Sequence, residues 1–372
     1  MLENKKIMML ATTDNMIWQF LLPHIKYLQD KGNTVECVCA RTGFWFDELQ
    51  DKYRLKCHEI NFQRNPIKPQ NIKAYKQLKK LQKQENYDII YCQQPVGGLM
   101  GRLLAKKFKI PCIYTAHGFH FYKGCPLTNK LIFKTVEQYC SKYTDILITI
   151  NEEDYQNALR FKAKKVFKIN GIGVDLSKYT PNKRLNKKKF RQEFGLNEDD
   201  FVVTSIGELN DNKNTFRLLE VIKNIDNPHI KYLVCGQGPL REKFEKYISD
   251  NNLQDRVKLL GFRKDIPDIL TITDLYIMPS YREGLSKSMM EAMCYGLPVV
   301  ASKIRGNIDL IGENEGGILC HPEDNNAFKD SIMKIYENKE LRETLKTRNS
   351  EFIKNYDTSV VLKQLEEIYK EV

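Results

Sequence analysis

Ten short apolar runs, each followed by a longer segment of mixed polarity, constrain this chain more than any other feature. Ile7–Ala11, Thr34–Ala40, Ile89–Cys92, Cys112–Thr115 and Ile146–Ile150 fall in the first half. Phe201–Ile206, Tyr232–Cys235, Val257–Leu260, Leu275–Met278 and Val299–Ala301 fall in the second. Strand-like runs alternating with amphipathic segments predict a parallel α/β architecture. The 372 residues suffice for two domains, each with its own core. Pro181 and the polar, basic stretch Asn182–Lys189 separate the two sets, which places a linker at about residues 170–185. Each half reads as Rossmann-like. Ligands of such sheets bind beyond the carboxyl ends of the strands, so two facing sheets would enclose a cleft.

The densest chemistry lies in Tyr281–Ser302, YREGLSKSMMEAMCYGLPVVAS. Gly284-Leu285-Ser286-Lys287-Ser288 reads as a turn feeding a helix, with Ser286 as N-cap and Met289, Met290, Met293 and Cys294 as the apolar face. A helix start offers unpaired N–H groups and partial positive charge, a seat for phosphate. Glu291, deeper in the helix, leans back toward that start and can reach a ribose. Glu283, ahead of the helix, can meet a polar group beyond the far phosphate. The spacing fits a nucleotide diphosphate carrying a sugar. It equally fits a solvated loop before a core helix with surface glutamates.

Charge is distributed unevenly. The net charge is +12, yet residues 1–180 hold 29 Lys and Arg against 16 Asp and Glu, while residues 181–372 hold 30 against 31. Such asymmetry points the first half toward nucleic acid or an anionic membrane. No zinc-finger or RNP-type motif supports nucleic acid. Lys68, Lys73, Lys76, Lys79, Lys80 and Lys83 surround a helix with Ile72, Tyr75, Leu78 and Leu81 as its apolar stripe. That is either an ordinary solvated helix or an interfacial patch for anionic headgroups. No run of about 18 apolar residues occurs, so no spanning helix is expected. Lys5-Lys6 precede too short an apolar run for a signal peptide. The ten cysteines form no C-x-x-C pair, and Cys37 and Cys39 read as core residues of a strand. A reduced, cytoplasmic setting follows, and no cofactor is implied.

Glu283 and Glu291 in this context resemble the E-x7-E signature of the family-4 retaining glycosyltransferases, which have the GT-B fold, and the likeness extends over nearly the whole chain. The resemblance implies an N-terminal acceptor-binding domain at 1–175, a nucleotide-sugar domain at 176–352, and a last helix, 353–372, that returns to the first domain. Lys213, in the loop Gly207–Asn214, matches the family's diphosphate-gripping lysine, and Glu208 stands where an arginine is often found. An acidic residue cannot bind phosphate directly, so Glu208 would orient Lys213 or contact a hydroxyl. Near Arg263 the backbone would meet the nucleobase; the side chain would stack, pair with phosphate or be solvated. Gly236 and Gly238 form a strand-end turn that brings backbone close to a ligand. His117, in Thr115-Ala116-His117-Gly118, would contact the donor sugar. Phe119-His120-Phe121-Tyr122-Lys123 would either pack under a loop or face a membrane. Asn15 lies in a loop that is glycine-rich in related enzymes but has no glycine here. Gly284, Leu285 and Ser286 would hold the donor through the helix start.

The expected reaction moves a sugar from a nucleotide sugar, with uridine as base, to a hydroxyl of a lipid-linked saccharide, in capsular or exopolysaccharide synthesis at the inner membrane face. No D-x-D pair stands in a strand-end loop, which predicts chemistry without a bound metal. Two alternatives keep the fold: a sugar-nucleotide 2-epimerase, for which six histidines in the chain are few, and a non-catalytic nucleotide-sugar-binding partner. A dehydrogenase is disfavoured because no G-x-G-x-x-G follows the first run.

Overall fold

A computed structural model describes residues 2–43, 45–66, 68–312 and 315–372. The chain divides into two compact units, Met1–Gly173 with Thr358–Val372, and Val174–Asp357. The first holds a seven-stranded sheet: β1 (Lys6–Thr13), β2 (Thr34–Ala40), β3 (Cys57–Glu59), β4 (Ile89–Gln93), β5 (Cys112–Ala116), β6 (Ile146–Thr149) and β7 (Lys165–Lys168), ordered β3-β2-β1-β4-β5-β6-β7. The second holds six: β8 (Phe201–Ile206), β9 (Ile230–Cys235), β10 (Val257–Gly261), β11 (Leu275–Met278), β12 (Val299–Ser302) and β13 (Gly317–Cys320), ordered β10-β9-β8-β11-β12-β13. Every pairing is parallel. In both sheets the strand order reverses beside the first strand of the set, between β1 and β4 and between β8 and β11. Those reversals are the topological switch points where open α/β sheets bind ligands.

All ten apolar runs are strands. β3, β7 and β13 are three further strands outside those runs. All three lie at sheet edges and are mostly half-buried, so their sequences carry little of the apolar signal that marks a central strand. In the first unit Met8, Leu10, Ile90, Cys92, Tyr114 and Leu147 pack with Val96, Met100 and Leu104 of the helix Pro95–Phe108. In the second, Val203, Tyr232, Val234, Leu275 and Ile277 pack with Phe244, Phe328 and Ile332.

The first change of unit falls within the expected linker at about residues 170–185, near its start. The chain changes unit at Gly173/Val174 and again at Asp357/Thr358. The basic stretch after Pro181 belongs wholly to the second unit, where Asn186 caps the short helix Lys187–Gln192 and Phe190 is buried. The segment expected as one last helix, 353–372, is two pieces. The helix Lys339–Phe352 ends in a 3₁₀ turn, Ile353–Tyr356, and a new helix, Thr358–Tyr369, begins where the chain enters the first unit. There Glu366 accepts from Lys31 at 2.7 Å and Tyr369 meets the Tyr91 ring edge-on.

Candidate active site

The loops that leave β8 and β11 flank the switch point of the second sheet; one asparagine shapes the first loop and two others tie it to the second. Asn210 Oδ1 accepts from the Lys213 amide at 2.9 Å, shaping the turn. Asn212 Nδ2 donates to the Arg282 carbonyl at 3.0 Å, and its own carbonyl accepts from the Tyr281 amide at 2.8 Å. Asn214, in the left-handed region at φ 53°, donates to the Pro279 carbonyl at 3.1 Å. The lysine between them thereby reaches across the switch point. Lys213 Nζ donates to Glu283 Oε1 at 2.8 Å, and both side chains are largely shielded from water.

The helix Lys287–Cys294 starts immediately beyond. Ser286 Oγ accepts from the Met289 amide at 3.3 Å, and Met289, Met290, Ala292 and Met293 are buried. Ser288 Oγ accepts from Tyr276 at 2.8 Å and donates to the Ile206 carbonyl at the end of β8. Behind the turn, Gly306 (φ 76°) presses on the Gly284 carbonyl, where an added Cβ would sit 2.2 Å away. Arg305 Nε donates to the Glu283 carbonyl at 3.2 Å. The Gly284–Ser286 backbone is thus held from both sides. Glu291 is buried, and burial raises its carboxyl above the usual range. Lys287, 3.8 Å away one turn earlier, and the Tyr179 hydroxyl, donating at 2.5 Å, oppose that rise.

Other expected residues stand apart from this pair. Glu208 is exposed and has no side-chain partner among the described residues; Lys213 is held by Glu283 instead. Arg263, beyond the edge strand β10, is engaged by Asp265 in a two-point ion pair, Nε to Oδ1 at 2.8 Å. The Gly236–Gly238 turn approaches the protein's own backbone rather than open space. A Cβ at Gly236 would fall 1.8 Å from the Gly207 carbonyl oxygen, and one at Gly238 would fall 2.4 Å from that of Leu209.

In the first unit the residues at the strand ends form a second polar cluster. His117, after β5, shares a 2.7 Å bond between Nε2 and the amide oxygen of Gln93, the last residue of β4. Desolvation, reinforced by His24, pulls the ring down to about 3. The imidazole is therefore neutral at pH 7, donates through Nε2–H, and leaves Nδ1 as an acceptor. β1 runs directly into helix at Asp14, whose carboxylate receives the Asn15 amide at 2.8 Å and the Thr42 amide at 3.1 Å. The Asn15 side-chain oxygen is buried without a donor among the described residues. Such an acceptor costs folding energy unless a ligand supplies the hydrogen. Phe119 and Phe121 stack at 4.8 Å and are buried in the core with Phe161, so these two rings face no membrane.

Comparison with known proteins decides the family. Residues 186–352 match the model of glycosyl transferases group 1, and residues 6–151 match that of glycosyl transferase 4-like proteins. EpsD of Bacillus subtilis (strain 168) is 33% identical over 98% of this chain and 96% of its own length. The chain is a family-4 glycosyltransferase. An Escherichia coli relative, UDP-Gal:alpha-D-GlcNAc-diphosphoundecaprenol alpha-1,3-galactosyltransferase, is 29% identical over 94% of this chain and 92% of its own. Among solved structures, Anabaena HepE in complex with UDP and glucose superposes with a TM-score of 0.84 over 99% of this chain and 100% of its own, at 19% identity. That likeness shows the GT-B fold.

Several residues of this glycosyltransferase escaped the sequence reading. Tyr179, 112 positions from Glu291, carried no local signal. Gln93 looked like an ordinary strand end. The asparagines at 210, 212 and 214 did carry one: small polar residues alternating after a strand are loop-fixing side chains that bond backbone.

Proposed function

We propose that this glycosyltransferase moves a sugar from a uridine-diphosphate sugar to a hydroxyl of a lipid-linked saccharide, with retention at the anomeric carbon, in the synthesis of a capsular or other extracellular polysaccharide. The observation that carries the reading is the Lys213–Glu283 pair, joined across the switch point beside a capped helix start. Donor diphosphate would take over the Lys213 ammonium and the N–H groups around Gly284, Leu285 and Ser286. The released Glu283 carboxylate would then accept from sugar hydroxyls, while Glu291, oriented by Tyr179, accepts from the ribose. Glu208 and Arg263 flank the diphosphate and base at the rim. The C1–O bond to the diphosphate breaks, and a C1–O bond to the acceptor oxygen forms on the same face. The acceptor proton passes to the departing phosphate oxygen. Lys213 and the helix start stabilise the charge on that leaving group, which is electrostatic catalysis without a metal. His117 Nδ1 and Asn15 Oδ1 would accept from substrate hydroxyls in the first unit.

The acceptor class rests on the E. coli relative, whose name specifies an undecaprenol-linked substrate. No helix of the described residues is long and apolar enough to cross a membrane, so access to such a lipid would come through peripheral contact by the basic first unit. Steady-state kinetics test the site. Lys213→Ala lowers kcat by about 10²–10³, as loss of one leaving-group donor does. Glu291→Ala raises donor KM by about tenfold or more with a smaller change in kcat. Unchanged constants in both variants would remove this site from the reaction.

A further inference from the structure

The helix Leu127–Ser141 of the first unit is built with two apolar faces. Its inner face packs: Phe133 lies against the core, Glu137 and Cys140 are buried, and Glu137 accepts from Arg102 at 2.6 Å. Its outer face carries Leu127, Leu131, Ile132 and Tyr139, which are 76%, 70%, 54% and 45% exposed. These are four of the ten large hydrophobic side chains left exposed among the described residues, gathered on 15 residues. The spacing i, i+4, i+5, i+12 keeps them on one side of a helix. Apolar residues clustered on one solvent-facing side indicate a surface that something covers.

Charge identifies the cover. Between Phe119 and Thr144 the chain carries Lys123, Lys130, Lys134 and Lys142, and the single acid is Glu137. That acid is buried against Arg102, so the segment presents no free carboxylate. Lys106 adds a further cation beside Tyr139, at 2.9 Å from its hydroxyl. An apolar stripe framed by lysines, with a tyrosine at its border, matches the depth profile of an anionic bilayer: acyl chains beneath, phosphates around. The lysine-rich helix Gln70–Glu85 does not match it. That helix turns Ala74 and Leu78 into the core and packs Tyr75 and Leu81 against it, leaving Ile72 as its one large exposed apolar side chain.

We infer that the outer face of Leu127–Ser141 is the element by which this glycosyltransferase docks on an anionic lipid bilayer, with Leu127, Leu131 and Ile132 entering the acyl boundary and the lysines meeting headgroups. The inference rests on the reading of a lipid-linked acceptor and names the surface that reading requires. The helix follows His117 by ten residues, so docking also fixes the strand-end loop of the first unit near the bilayer.

Flotation of the full chain with phosphatidylcholine vesicles, with and without phosphatidylglycerol, tests it. The wild type floats with the anionic vesicles. Leu131→Glu/Ile132→Glu, which alters only exposed side chains, reduces the bound fraction at least about tenfold, while Lys76→Gln/Lys80→Gln on the other helix stays within about twofold of wild type. Circular dichroism and transfer to a short, water-soluble acceptor remain unchanged in the Leu131/Ile132 variant. Equal flotation of that variant and the wild type would overturn the helix assignment and leave bilayer contact standing. No flotation of the wild type would overturn both. A wild type that sediments as a dimer, with a monomeric variant, would assign the face to a second copy of the chain and overturn the inference.

Discussion

Eight positions separate Glu283 from Glu291, and the two carboxylates stand in different environments. Glu283 is committed to a cation, Lys213, that a phosphate can take from it. Glu291 is buried, its carboxyl raised by desolvation, with a tyrosine hydroxyl aiming its oxygen. His117 shows the same economy of charge. Its ring is held neutral, its Nε2–H is already spent on Gln93, and its one open function is as an acceptor at Nδ1. His117 therefore contributes no limb to the pH–rate profile between pH 5 and 8. An NMR titration of its ring should show no midpoint in that range, whereas a midpoint near the ordinary 6.5 would contradict the assignment. At this scale the sequence was informative where partners are close along the chain, as in the glutamate spacing and the Ser286 cap. It was silent where partners meet only through the fold. Nothing around Tyr179 announces a bond to Glu291, and nothing around Glu208 announces that Lys213 turns away from it.

At the scale of elements, the site depends on how tightly one turn is gripped. Gly306 lies on the Gly284 carbonyl with no room for a methyl group and has a backbone that favours glycine. Gly306→Ala should move the helix start and raise donor KM about tenfold, the equivalent of about 1.4 kcal/mol. Unaltered donor KM would show that the turn is not part of the donor site. The strands obey a similar logic of visibility. β1, β4, β8 and β11, covered on both faces, advertise themselves as apolar runs. The edge strand β3 reads Cys57-His58-Glu59 and β7 contains Lys165 and Lys168, so solvent exposure erased the pattern. Glycines were visible too, but Gly236 proved to serve loop-on-loop packing where ligand approach was expected.

At the scale of the whole molecule, stability and binding are separable. Near the amino ends of β1 and β2, Glu36 accepts from Tyr87 at 2.6 Å, His58 at 2.7 Å and Lys56 at 3.0 Å, with Lys6 at 3.3 Å. Burial pushes this carboxyl up, but the donors together outweigh it and hold it at about 2 against an ordinary 4.5. The folded state thus binds fewer protons than the unfolded one between those values. The stabilisation, about 3 kcal/mol at 1.36 per pH unit, is complete above about pH 4.5 and lost as pH falls toward 2. Glu36→Gln should lower Tm at pH 7 and flatten its fall between pH 4.5 and 2. An acid limb as steep as that of wild type would place the sensitivity elsewhere.

We propose donor recognition by the unit Val174–Asp357, and thermal stabilisation of the full chain by a panel of nucleoside diphosphates and nucleotide sugars measures it. A ligand at about 100 times its Kd adds about 2.7 kcal/mol. The expected result is stabilisation by UDP and more by one UDP-sugar, lost in Glu291→Ala and weakened in Lys213→Ala. Stabilisation that persists in both variants, or no response to any uridine nucleotide, would contradict it.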